Sequence, residues 1–228
     1  MRLSVIIPIY NEEKTIRRVV EKIAELDAEL EIIAVNDGSN DQTGTILGQL
    51  NKEYGVKVYT HKKNRGKGAA VRTGIHKARG DYVVIHDADL EYNPREILKL
   101  LKIAEKNKLP VVYGSRFKGR IENMSLPFLL GNIFLTFLTN VLFGVKLTDM
   151  ETCYKLFEKE VIKGLNWQAE RFDFEPEITV RILNKGIKIY ETPITYKARK
   201  KNEGKKIGFR DGIKAVGVLL KLRFFPEK

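Results

Sequence analysis

Short apolar runs rich in β-branched residues alternate with stretches of helical periodicity through the first half of the chain. This alternation restricts the fold more than any other feature. The apolar runs are residues 3–8, 31–35, 56–60, 82–86 and 111–113. Between the first two, Ile16, Val19, Val20, Ile23 and Leu26 recur at helical spacing. Further helices are expected at 42–53, at 68–78, and from Pro94, a good first helical residue, to residue 106. Such a chain is α/β: a mostly parallel sheet with helices on both faces. Right-handed crossovers then line up the loops that follow the strands along one edge, where ligands bind.

After residue 119 the alternation stops. The expected elements are a helix at 126–143, a polar loop at 148–152, a helix at 175–184 and a basic amphipathic helix at 211–223. Residues 187–190 and 194–196, divided by Glu191, Thr192 and Pro193, read as paired extended segments. No repeat or low-complexity linker divides the chain, so residues 1–228 are expected to form a single domain with a C-terminal elaboration.

The 126–143 stretch carries no charge and is marginal in length for a membrane span. Asn132, Thr136, Thr139 and Asn140 fall on one narrow stripe of it. That pattern suits a half-buried core helix or a helix lying in a membrane interface. The amino terminus is not a signal peptide on this reading, because its apolar run carries Pro8 and ends in Asn11, Glu12 and Glu13.

Lysine and arginine number 41 against 29 acidic residues, a net charge of +12. The partner is therefore expected to be an anion: nucleic acid, nucleotide phosphate or an acidic membrane. Residues 185–228 hold 13 basic and 4 acidic residues, so +9 of the excess lies there. One cysteine excludes an internal disulfide and suits a reducing compartment.

Four loops carry the chemistry. Pro8, Tyr10, Asn11 and Glu12 follow the first apolar run, and Asn36 and Asp37 follow the second. Lys67 stands between Gly66 and Gly68 in the loop after the third, and Asp87, Ala88 and Asp89 follow the fourth. Two residues apart on an extended chain, Asp87 and Asp89 would point to one side, with Ala88 facing away. They are either an ordinary solvated pair or oxygen ligands for Mg²⁺ or Mn²⁺ against a diphosphate. Asn36 and Asp37 fit an Asx-turn, a nucleoside contact, or both. Glu12 fits a helix start or a nucleoside contact near Tyr10. Lys67 is a solvated loop lysine or an anion ligand. Neither a G-x-G-x-x-G after the first strand nor a P-loop is present.

With these loops on the page, the chain resembles the family 2 glycosyltransferases of the GT-A fold. Within them it is most similar to the dolichyl-phosphate mannose synthase-like polyprenyl-phosphate sugar transferases. The resemblance rests on residues 7–12, 35–43, 64–68, 87–89, 114–116 and 148–152. It implies that Pro8, Tyr10, Glu12 and Asp37 bind the nucleoside of a nucleotide-diphosphate sugar, GDP-mannose or a UDP-sugar. Asp87 and Asp89 would position the divalent metal and the diphosphate. Arg116 would face donor or acceptor phosphates. Residues 1–118 would form the nucleotide-sugar half and 119–228 the acceptor and membrane half.

The family's reaction is a single inverting displacement. Asp89 is counted as catalytic through the metal and diphosphate. A hydroxyl acceptor needs a general base, for which Asp149 and Glu151 are the candidates; both fit equally well as supports for Arg116. A phosphate monoester is already an anion and needs cations instead. Arg116, Arg199 and Lys205 are the candidates for that role, the last two within a 197–206 segment with six basic residues and one acid. A polyprenyl phosphate on an anionic leaflet fits this charge, and places the chain peripherally on the cytoplasmic membrane face. A glycan hydroxyl acceptor is the alternative. A nucleic-acid module is a more distant one, opposed by carboxylates that repel phosphate.

Overall fold

The computed structural model describes residues 2–199 and 208–225. Lys205, expected at the acceptor phosphate, lies outside the described residues. The elements run β1 (Leu3–Ile9), α1 (Ile16–Ala24), β2 (Leu30–Asn36), α2 (Thr43–Tyr54), β3 (Lys57–Thr60), α3 (Lys67–Lys77), β4 (Tyr82–Ile85), α4 (Arg95–Asn107) and β5 (Val111–Glu122). They continue with α5 (Leu126–Phe143), β6 (Lys155–Glu158), α6 (Lys159–Lys163), α7 (Phe174–Asn184), β7 (Tyr190–Lys197) and α8 (Phe209–Phe224).

One seven-stranded sheet has the order β3-β2-β1-β4-β6-β5-β7. All pairings except those of β6 are parallel. Apolar side chains of β1, β2 and β4 are buried on both faces, as expected where helices cover both sides. Glu31 is the exception inside this sheet. Its carboxylate accepts from Ser4 Oγ at 2.6 Å and Arg79 N–H at 2.8 Å and pairs with Lys57. These partners outweigh the burial that opposes them and hold it down at about 2.

The second half departs from expectation in three places. Strand β6 has no counterpart in the sequence reading; it inserts antiparallel between β4 and β5. Strand β5 runs to Glu122 rather than stopping at residue 113. The segments at 187–190 and 194–196 do not pair with each other; one strand, β7, lies parallel to β5. Thr192, Ile194 and Tyr196 point inward at period two, which is the register that burial enforces. Between Ser115 and Arg120 the β5–β7 register shifts, and a Cβ at Gly119 would meet the carbonyl oxygen of Ile194.

Helix α5 packs one stripe, with Leu135, Thr136 and Thr139 buried, beside α8 and α7. Leu126, Leu130, Ile133, Phe134, Phe137 and Val141 stay exposed. Among the described residues it alone is long and apolar enough to cross a membrane by length and composition. Trp167 is buried against Phe174 and packs the core rather than an interface.

Candidate active site

The loops after β1, β2 and β4, the start of α3, and the segment before β6 surround one cavity of about 330 Å³. Pro8, Tyr10, Glu12, Asp37, Lys67, Asp87, Ala88, Asp89, Arg116, Glu151 and Arg199 all line it. Asn11, Asn36 and Asp149 do not.

Asn36 and Asn11 shape the rim instead. Asn36 Oδ1 accepts the Ser39 N–H at 3.0 Å, an Asx-turn. Asn11, at φ 50°, accepts the Asn40 N–H at 2.9 Å. Asp37 ties the third loop down: its carboxylate accepts from the N–H groups of Arg65 and Gly66 and lies 2.6 Å from His61 Nδ1. Gly66 has φ 102°, and a Cβ there would strike the carbonyl oxygen of Glu170. Gly66→Ala is therefore expected to lower the melting temperature by several degrees and to weaken nucleotide binding. Differential scanning fluorimetry with and without UDP or GDP reads both, and an unchanged loop would leave both values at wild type.

Strand β4 ends at Ile85, so Asp87 and Asp89 sit in a turn rather than on extended chain. The turn closes through Leu90, whose φ of 63° is uncommon for a branched residue. Both carboxylates reach the cavity even so. Lys67 Nζ lies 2.8 Å from Asp87 Oδ1 and 2.8 Å from Glu175 Oε1. Burial, then the charges of Asp87 and Glu91, push Asp89 up to about 7, against the pull of Arg199. Crowded carboxylates of this kind are what a divalent cation relieves. Among the described residues no group of three or more His, Cys, Asp or Glu is arranged to hold a metal. Two carboxylates fit a Mg²⁺ or Mn²⁺ that completes its shell with diphosphate oxygens and water.

Arg199, expected at the acceptor phosphate, lines the cavity among carboxylates. Its guanidinium lies 3.2 Å from Glu12 and 3.1 Å from Asp89, and its N–H donates to Glu91 Oε1 at 2.7 Å. These contacts join the loops after β1 and β4. Glu91 and Glu175, both prominent here, carry no sequence motif that marks them.

Arg116 stands on the other flank. Asp149 Oδ2 accepts from its Nε at 2.7 Å and its backbone N–H at 2.9 Å, and Oδ1 accepts from Nη2 at 2.7 Å. The Tyr196 ring lies 5.2 Å from the guanidinium carbon. Asp149 is 0% exposed, does not line the cavity, and accepts all three of these bonds from Arg116. Glu151 does face the cavity, and burial together with Glu175 pushes its carboxyl up to about 8. His86 is buried on Tyr154 and stays neutral, with burial lowering it to about 4. Cys153 is buried beside the Ile85 carbonyl.

A mostly parallel α/β sheet whose strand-end loops carry carboxylates into one cavity is the arrangement of the GT-A class. Solved structures agree on the fold. Glucosyl-3-phosphoglycerate synthase from Mycobacterium tuberculosis superposes with TM-score 0.75 at 20% identity, covering 99% of this chain and 82% of that one. The same enzyme has been solved with Mn²⁺, UDP and glucosyl-3-phosphoglycerate, with TM-score 0.71 and 19% identity, covering 99% of this chain and 81% of that one. The model of glycosyl transferase family 2 matches residues 4–165, and the chain belongs to that family. Among its relatives, the UDP-N-acetylglucosamine–dolichyl-phosphate N-acetylglucosaminyltransferase of Methanococcus voltae is 32% identical over 84% of this chain and 84% of its own. The dolichol-phosphate mannosyltransferase of Pyrococcus furiosus is also 32% identical, over 90% of this chain but 59% of its own length.

Proposed function

We propose that the protein transfers a hexose from a nucleoside diphosphate sugar to a membrane-borne polyprenyl phosphate. The observation that carries this reading is the shared wall of the cavity: Phe128 and Asn132 of α5 line it together with Asp87, Asp89 and Arg116. The donor site thus opens beside a helix whose outer face is apolar and exposed. Arg210, Lys214, Lys221 and Arg223 lie on the neighbouring α8, where an anionic leaflet would meet them. Residues 1–118 serve the donor and 119–228 the acceptor and the membrane edge, within one domain.

In this reading Pro8, Tyr10, Glu12 and Asp37 frame the nucleoside, and Asp87 and Asp89 hold Mg²⁺ or Mn²⁺ against the diphosphate. A bound metal would supply neutralisation of charge on the leaving nucleoside diphosphate. Arg116, held in orientation by Asp149 and Tyr196, binds the acceptor phosphate from the α5 side. A phosphate acceptor needs no base. This suits a site whose Asp149 is engaged with Arg116 and whose Glu151 is mainly protonated at neutral pH.

The test is transfer from GDP-mannose, UDP-glucose and UDP-N-acetylglucosamine to a short polyprenyl phosphate with Mg²⁺ or Mn²⁺. Product with the phosphate but not with the free polyprenol supports the reading; product with glycan hydroxyls alone overturns it. For the membrane edge, Phe134→Asp with Phe137→Asp is expected to cut co-sedimentation with anionic vesicles about tenfold or more, given the apolar area removed. Nucleotide affinity should stay at the wild-type value. Equal co-sedimentation of variant and wild type would remove α5 from the interface.

A further inference from the structure

Two oxygens on the cavity wall have no partner. Glu151 Oε1 and Glu175 Oε2 are enclosed, and neither has a hydrogen bond to any described residue. Glu175 as a whole is 5% exposed, and both side chains line the same cavity. Enclosed polar atoms of this kind are uncommon in folded proteins and point to something that completes them.

We propose that Glu151 and Glu175 form the floor on which the transferred hexose sits and address its hydroxyl groups. The proposal rests on the nucleoside-diphosphate-sugar reading of the cavity.

Position comes first. Lys67 touches Asp87 with one edge of its ammonium and Glu175 with another, each at 2.8 Å. Glu175 therefore lies one ammonium beyond the carboxylate assigned to the diphosphate. Glu151 lines the same cavity from the segment before β6. In the proposed arrangement a group carried on the terminal phosphate meets this pair.

Chemistry comes second. The nearby cations are already engaged. Lys155 Nζ donates to the carbonyls of Met150, at 2.7 Å, and Thr152. Lys67 is held by Asp87 and by the other oxygen of Glu175. Arg116 is held by Asp149. No cation bonds Glu151 Oε1, so the two enclosed carboxylates repel each other, and one proton relieves that repulsion. Burial and then Glu175 raise the Glu151 carboxyl to about 8, Lys155 and Arg116 oppose them, and Asp149 adds to the rise. The singly protonated pair offers one O–H donor beside several acceptor lone pairs. A sugar hydroxyl is itself both donor and acceptor, so a neutral polyol matches this floor. A second phosphate meets carboxylate there and is turned away.

The experiment compares dissociation constants of UDP with UDP-glucose, and of GDP with GDP-mannose, by calorimetry with Mg²⁺. The ratio within the better-binding pair isolates the hexose. Glu151→Ala is expected to shift that ratio against the sugar by up to about tenfold, the scale of a lost neutral hydrogen bond, with the diphosphate constant unchanged. Glu151→Gln keeps a donor and should hold the neutral-pH ratio while abolishing its dependence on pH. In the wild type the ratio should turn against the sugar between pH 7 and pH 9. An unchanged ratio in Glu151→Ala, with diphosphate binding intact, overturns the hexose floor and leaves the nucleotide site standing. A pH response in Glu151→Gln equal to wild type overturns the shared proton. Failure of the wild type to bind either diphosphate overturns the nucleotide reading instead.

Discussion

Asp89→Ala is expected to lower sugar transfer by about a thousandfold or more, the scale of removing a preorganised charge partner from a developing leaving group. The geometry gives the reason. Asp89 shares the cavity wall with Asp87, and Lys67 already pairs with Asp87. Asp89 pairs with Arg199 in turn, but Asp87 and Glu91 still crowd it, and that is the crowding a divalent cation relieves. Removal of Asp89 leaves Arg199 paired with Glu12 and Glu91, so no buried charge is stranded and the fold should hold. Turnover measured at saturating donor, beside a melting curve, separates the two effects. Chelation of the wild type with EDTA should reproduce the loss, and added Mg²⁺ or Mn²⁺ should reverse it. Wild-type turnover in the variant would remove Asp89 from the chemistry.

Asp149→Asn is expected to act on a different quantity. Breaking a buried pair from one side leaves the other charge uncompensated, at a cost of about 3–5 kcal/mol. Arg116 is 5% exposed and receives three hydrogen bonds' worth of support from this one carboxylate. For a chain of this size each kcal/mol corresponds to about 2–4 °C, so a fall of about 10 °C in the melting temperature is expected. A general base would behave otherwise: its amide would keep the melting temperature, lose turnover, and lose the rise in rate that deprotonation of the base gives as pH increases. Calorimetry and a pH–rate profile on the same preparation tell the two roles apart. A variant that melts like wild type but turns over a thousandfold slower would make Asp149 the base.

The first half of the fold was legible because each strand there is a continuous apolar run closed by a turn signal. Residues 82–86 and the Asp37–Asn40 cluster show how little tertiary information such a reading needs. Strand β6 was not legible. Lys-Leu-Phe-Glu is too short to show a period, and its lysine is buried under the Tyr113 ring with two carbonyls to satisfy it. The pairing of β7 was misread because Pro193 looks like a break, while the burial of Thr192, Ile194 and Tyr196 sets the register.

At the site, residue types at strand ends pointed to the cavity, but not to which of them face it. Asn11 and Asn36 satisfy neighbouring backbone groups, and Asp149 turns to Arg116. Arg199 was read as acceptor-side from local charge density alone. Its actual partners, Glu12 and Asp89, are far away in sequence, and only the closed sheet brings them together. Glu175 looked like an ordinary helix-start acid, and nothing local separates that from a cavity wall.

The Arg199 contacts also bear on how the chain folds. Arg199 reaches Glu12 across 187 residues, and Tyr154 reaches His86 across 68. Closing such long loops comes late, because their entropy must be overcome before the contacts reward it. Donor-binding competence therefore marks completion of the sheet. An intermediate with β1 to β4 paired but β6 and β7 still loose would lack the Arg199 clamp. It would also leave the inner stripe of α5 uncovered, making it prone to association. Refolding followed by nucleotide binding should lag refolding followed by helix content.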